Sequence, residues 1–220
     1  MPCPGLTTRA RPLLEHALAD RALAPVAGRL LAESHLSEGG DLVAAEAALT
    51  VAAGAAPQDP DVAATLARLR QAQGRYAEAH AALRALAAAR PGDAAVHESL
   101  ASVALTLATL ANARGDAADR TAWATRAAED FREARRDAGD LPAYAAGEAR
   151  ALEMAGNLAG AEAALLHAVE LGGDAPAARV TLMEFYERTG QRQKADAERR
   201  KAGDAAAPQK RRLRPLPPSR

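Results

Sequence analysis

The chain has 220 residues, 28 basic against 28 acidic side chains, five histidines and a single cysteine, Cys3. That balance excludes the global charge that condenses a protein onto nucleic acid or anionic lipid, and one cysteine excludes an internal disulfide or a cysteine-based zinc cluster. The C-terminus departs from it: Lys210, Arg211, Arg212, Arg214 and Arg220 form a basic run without an acidic residue, so the rest of the chain is mildly acidic.

Residues 1–6 hold Pro2, Pro4 and Gly5 and are expected to be disordered. From Thr7 or Thr8, a suitable N-cap, Leu13, Leu14, Ala17 and Leu18 make a helical stripe that Pro25 is expected to close, so 7–24 reads as an N-terminal capping helix. Arg9, Arg11, Glu15, Asp20 and Arg21 fall where a secretory leader needs an unbroken apolar core. No other run approaches the roughly 20 apolar residues of a membrane span. A cytoplasmic protein with no membrane partner is therefore expected. The scarcity of lysine beside arginine, with abundant alanine, points to a GC-rich bacterial genome.

From Val26 the sequence repeats itself. Gly74, Tyr76, Ala79, Leu83 and Pro91 have counterparts 34 residues earlier at Gly40, Leu42, Ala45, Leu49 and Pro57. Four units of two helices each follow this rule, turning at Gly39 and Gly40, at Gly74, at Gly156 and at Gly190. In each, an alanine follows the turn glycine by five: Ala45, Ala79, Ala161 and Ala195. A fixed period of this length is the mark of a stacked helical array, in which each unit buries its apolar face only against its neighbours.

These units resemble tetratricopeptide repeats. The second unit offers Ala67 at the family's small eighth position and Gly74, Tyr76, Ala79, Leu83 and Pro91 further on, though Arg70 stands where a large apolar residue is usual. The fourth offers Ala149, Leu152, Gly156, Leu158, Ala161, Leu165 and Ala168. The fifth offers Tyr186, Gly190, Ala195 and Ala202, with Arg199 marking an end unit. The resemblance implies an all-α fold, an α-solenoid wound as a right-handed superhelix of antiparallel helix pairs over 26–203. The units fall at about 26–59, 60–93, 94–141, 142–175 and 176–203.

The third unit breaks the period. Its alanine equivalent to Ala79 is Ala127, 48 residues on instead of 34. The 14 added residues make about four helical turns, so each helix of this pair is expected to be about two turns longer and to project past its neighbours. Leu105, Leu107, Leu110, Trp123 and Ala124 lie towards the tip. After Gly203 the Pro-rich basic segment 204–220 reads as a disordered tail.

In tetratricopeptide arrays the first helix of each unit lines a concave groove. The positions that resemblance places there are Leu30, Ser34, Ser37 and Glu38, then Asp61, Ala64, Arg68 and Gln71. Arg150, Glu153 and Met154 follow, then Val180, Glu184, Glu187 and Arg188. Arg68, Gln71, Arg150, Glu153, Glu184 and Glu187 are the expected partner contacts, with Trp123 as a candidate anchor on the long hairpin. Leu30 and Ser34 replace the lysine and asparagine of the family's carboxylate clamp, so capture of chaperone tails is rejected. His167 and Glu170 have a metal-ligand spacing but no third ligand, and no HExxH, GxSxG, P-loop or GxGxxG motif occurs. The reading is a non-catalytic protein–protein interaction module, an adaptor or assembly scaffold, without cofactor, metal or small-molecule substrate. One alternative is an accessory or regulatory subunit docked on an enzyme or secretion complex through the elongated hairpin. A second, weaker one is a nucleic-acid-associated protein acting through the basic tail.

Overall fold

The structure, a computed structural model, describes residues 4–37, 40–172 and 176–206. Among them are eleven α-helices and no strand: α1 (Pro4–Ala17), α2 (Ala24–Ser37), α3 (Leu42–Ala55), α4 (Pro60–Ala72), α5 (Tyr76–Ala89), α6 (Ala94–Ala113), α7 (Ala117–Ala138), α8 (Pro142–Met154), α9 (Leu158–Leu171), α10 (Pro176–Arg188) and α11 (Arg192–Ala206). Local chemistry sets many of the ends. Asp41, Asp59, Asp93, Asp116 and Asn157 each accept hydrogen bonds from the first-turn amides of the helix they precede. Within the second, third, fourth and fifth pairs the first helix ends in the same way. The amide after the turn glycine bonds five residues back: Arg75 to Arg70, Asp116 to Ala111, Asn157 to Leu152 and Gln191 to Tyr186. This closure needs a left-handed residue, which Gly74 supplies at φ 73° and Gly156 at 87°.

The helices stack as pairs, α2–α3 through α10–α11, each pair packing on the next to make an α-solenoid. The first helices touch their equivalents in neighbouring units, α2 with α4, α6 with α8 and α8 with α10, while the second helices make no comparable contact among the described residues. The stack therefore bends towards the first helices, which line its inner face. The recurring alanines occupy the crossings: Ala45, Ala79, Ala127 and Ala161 are fully buried and Ala195 nearly so. At these points the backbones approach closely enough that anything larger would be overpacked. Between them lie four apolar clusters, centred on Leu49, on Leu83 and Leu100, on Phe131, and on Leu182 and Phe185.

The third pair is the long one, with 20 residues in α6 and 22 in α7, against 13 and 14 in the pair before. One helix among the described residues, α6, is long and apolar enough to cross a membrane, so the expectation that no segment reaches that length is corrected. Here its Leu100, Val103, Ala104, Ala108 and Ala111 are buried in the stack.

At the N-terminus the boundaries differ from the sequence reading. The first helix begins at Pro4, inside the segment expected to be disordered, and stops at Ala17. Pro25 does not close it but opens α2, because proline lacks an amide hydrogen and is tolerated where the first turn has no use for one. Helix α1 packs on α2, and Arg11 donates through Nε to the buried Ser34 hydroxyl at 2.9 Å. At the other end α11 runs on to Ala206. Residues 1–3, Glu38, Gly39 and the tail from 207 lie outside the described residues.

Candidate partner-binding groove

The inner face is built from side chains the helix pairs cannot bury. It holds a pocket of about 740 Å³ between the tip of the long hairpin, α8 and α10. Asn112 and Arg120 come from the tip, Ala146, Gly147, Ala149, Arg150, Glu153 and Met154 from α8, Leu165 from α9, and Thr181 and Arg188 from α10. The two extra turns in each hairpin helix carry Arg120 out over the next unit. The α8 wall is low because of its small residues. A Cβ on Gly147 would lie 2.6 Å from the Phe131 ring, so the ring of α7 occupies the space where that side chain would start. Glu153 is engaged by Arg188, whose Nε and Nη2 donate to its two oxygens at 3.0 Å each. That hydrogen-bonded pair raises the Arg188 guanidinium above its ordinary pKa.

Residues 36–103 match the tetratricopeptide repeat family model. Over those residues the chain carries tetratricopeptide repeats. No curated protein matches this repeat chain. Among solved structures it is similar to a MamA fragment from Desulfovibrio magneticus RS-1, at TM-score 0.65 and 15% identity, over 82% of this chain and 94% of that one. It is also similar to PilF of Pseudomonas aeruginosa, at TM-score 0.61 and 19% identity, over 92% and 85%. A third is a thermophilic tetratricopeptide protein of Thermus thermophilus, at 0.53 and 24%, over 83% and 91%. At these identities the likeness is one of fold.

Of the expected contacts, the repeat array brings Arg150 and Glu153 together in the pocket and leaves the others apart. Arg68 on α4 is exposed and Gln71 half-buried, two units away from the pocket. Glu184 is exposed on α10. Glu187 is bonded to Arg199 of α11 and so faces the second helix of its own pair. In the first unit Ser34 is buried under Arg11, and in the second Asp61 holds Arg90 at 2.5 Å. Ser34 therefore offers no free polar group to the groove, while Asp61 stays exposed beside its arginine. Arg70, the departure from the family pattern, is explained by its Nη1 bonds to Glu46 at 2.6 Å and Gln73 at 2.7 Å. The Arg70 bond is the main reason the Glu46 carboxyl sits below its ordinary pKa.

Trp123 is half-buried rather than projecting. Its ring meets His80 of α5 edge-on at 5.0 Å between centroids, and the Arg126 guanidinium lies over it at 4.6 Å. The contact is with the preceding unit. Beside it a cleft of about 340 Å³ is lined by His80, Arg84, His97, Arg126, Glu129 and Asp130, among others. His97 of α6 lies between two α7 carboxylates, with Asp130 and Asp137 each 3.8 Å from one ring nitrogen. Burial pushes the Asp130 carboxyl up to about 6, with His97 opposing and Glu129 adding to the shift. Burial also lowers the His80 imidazole, helped by Arg84 and Arg126. His167 lies near Asp140 and Glu170. No group of three ligands able to hold a metal occurs among the described residues.

Sequence reasoning missed Asn112, Arg120 and Thr181. Arg120 had a signal, since it lies in the 14-residue addition that was expected to project. What it projects over depends on the packing of the next unit.

Proposed function

We propose that this protein is a non-catalytic interaction module that takes a segment of a partner protein in its inner groove, at the pocket between the hairpin tip and helices α8 and α10. Tetratricopeptide arrays generally serve protein–protein interaction, and the observation that supports the pocket as the contact is its size and lining. About 740 Å³ is walled by three separate units, and small, apolar and cationic side chains share its lining. Such a site suits one extended peptide stretch. The elongated hairpin belongs to this surface, since its tip forms one wall. Docking through the hairpin and binding in the groove therefore share residues.

A random-peptide display selection on the full chain tests this, with Ala146→Trp as the counter-screen. Ala146 is half-buried on the pocket wall, and an indole there would take up part of the site and obstruct an extended chain. Selected peptides should bind the wild type and be lost on Ala146→Trp, with its thermal unfolding unchanged. Peptides that bind both proteins alike would show that the pocket is not the contact.

A further inference from the structure

We propose that the pocket selects acidic segments, with Arg120 and Arg150 receiving carboxylates of the bound chain. This rests on the groove reading above and specifies the chemistry of its ligand. Three guanidinium groups line the pocket against a single carboxylate, Glu153. Both oxygens of Glu153 are already taken by Arg188, and the exposed Glu184 acts on that same guanidinium, which leaves Arg120 and Arg150 as the lining cations that hold no carboxylate. Arg150 is exposed and makes no hydrogen bond or ion pair with any described residue. Arg120 makes one long bond, from Nη1 to the Asn112 side-chain oxygen at 3.4 Å, and its buried Nε has no acceptor.

Many of the other arginines are held in ion pairs. Arg70 holds Glu46, Arg90 holds Asp61, Arg132 and Arg135 hold Glu148, and Arg179 holds Glu198. A guanidinium presents a planar fork matched to a carboxylate, and the charged hydrogen bond strengthens where water is partly excluded. The chain's own C-terminal run of cations has the wrong sign to occupy the site. Met154 and Leu165 on the lining favour apolar residues between the acidic ones. The pocket has no aromatic side chain on which a nucleobase would stack, which favours an acidic peptide over a single-stranded nucleic acid.

The test is fluorescence anisotropy on the full chain at 150 mM salt with four labelled probes. They are a dodecapeptide of Glu, Leu and Ala, the same peptide with every Glu replaced by Gln, a Lys version, and a twelve-nucleotide oligo-uridine. The Glu peptide should bind at least about ten-fold more tightly than the Gln one, the worth of one charge-assisted bond. Arg150→Glu and Arg120→Glu should each remove about ten-fold, while Arg200→Glu, exposed on α11 and outside the pocket lining, leaves binding unchanged. Arg150 is exposed and makes no hydrogen bond or ion pair with a described residue, so unchanged melting of its variant keeps the comparison clean if Arg120→Glu disturbs the hairpin. Equal binding of the Glu and Gln peptides, both lost on Ala146→Trp, would overturn the charge preference and leave the groove reading standing. Binding of the Glu peptide untouched by either pocket substitution would overturn the proposal, and so would failure of the Glu peptide to bind. Oligo-uridine bound more tightly than the Glu peptide, and lost in Arg150→Glu, would assign the site to nucleic acid instead.

Discussion

Asp130 and His80 show how single side chains register the packing of three helices. The Asp130 carboxyl, on α7, faces His97 of α6 and Arg84 of α5, with Glu129 beside it and Asp137 on the other side of the His97 ring. Its folded pKa of about 6 lies above the ordinary 3.8. Between those values the folded state holds a proton that the unfolded chain has released, so this group's contribution to stability is present below about pH 4 and lost as pH rises through 6. His80 acts in the opposite sense. Its pKa is lowered from 6.5, so its contribution is complete above that pH and falls away as the pH drops. Replacing Asp130 with asparagine removes the first effect and keeps the second. Relative to wild type, the unfolding free energy of Asp130→Asn should move in the variant's favour by about 1–3 kcal/mol from pH 4 to pH 7.5, read by denaturant titration at each pH. A difference that does not change with pH would show that Asp130 ionises as freely in the fold as out of it.

At the level of elements, the long hairpin is the part that departs from its neighbours, and its length has a direct consequence for the groove. Seven residues are two helical turns and return a helix to nearly the same face, with a drift of only about 20°. Deleting Ala104–Leu110 from α6 and Ala118–Ala124 from α7 therefore keeps the Arg114–Gly115–Asp116 turn and restores the 34-residue spacing. The deletion takes facing partners from both helices, including Leu105 and Trp123 of the same cluster and the buried Ala124. The shortened chain should remain helical by circular dichroism and melt cooperatively, because each remaining layer keeps its partner. It should bind the acidic peptide at least about ten-fold more weakly, since Arg120 is gone. Unchanged affinity would mean that the tip plays no part in the pocket.

Across the whole molecule stability is passed from neighbour to neighbour. Nothing precedes α1 in the stack of described helices, and it covers one side of α2. Leu14 and Leu18 pack on the Leu31–Leu49 cluster, and Arg11 satisfies Ser34. In an array of this kind the loss of a terminal element is felt first by the adjacent unit. A chain starting at Asp20 should lose hydrogen-exchange protection in α2 and α3, with α8 to α11 unchanged. A loss spread evenly over all the helices would refute nearest-neighbour stabilisation.

Much of this architecture was legible before any coordinates. The period, the helix pairs and the crossing alanines are local or strictly repeated features, written by capping aspartates, turn glycines and small residues at one spacing. Ala79 and Ala161 could be placed in the core from their distance to Gly74 and Gly156 alone. The N-terminal boundary was misjudged because Pro25 reads equally as a stop and as a start, and only the docking of α1 on α2 chooses between them. The binding surface was half legible. Arg150 and Glu153 follow from their place on a first helix, but the same rule equally nominates Glu187 and Ser34, which the fold ties to Arg199 and Arg11. The sequence by itself determined the repeating frame, because each unit's geometry depends on residues a few positions apart. Only the tertiary structure decided that Arg120 hangs over α8 and α10, that Trp123 meets His80 and that His97 sits between two aspartates. Those meetings depend on how far one hairpin reaches across its neighbours, a distance that no local pattern encodes.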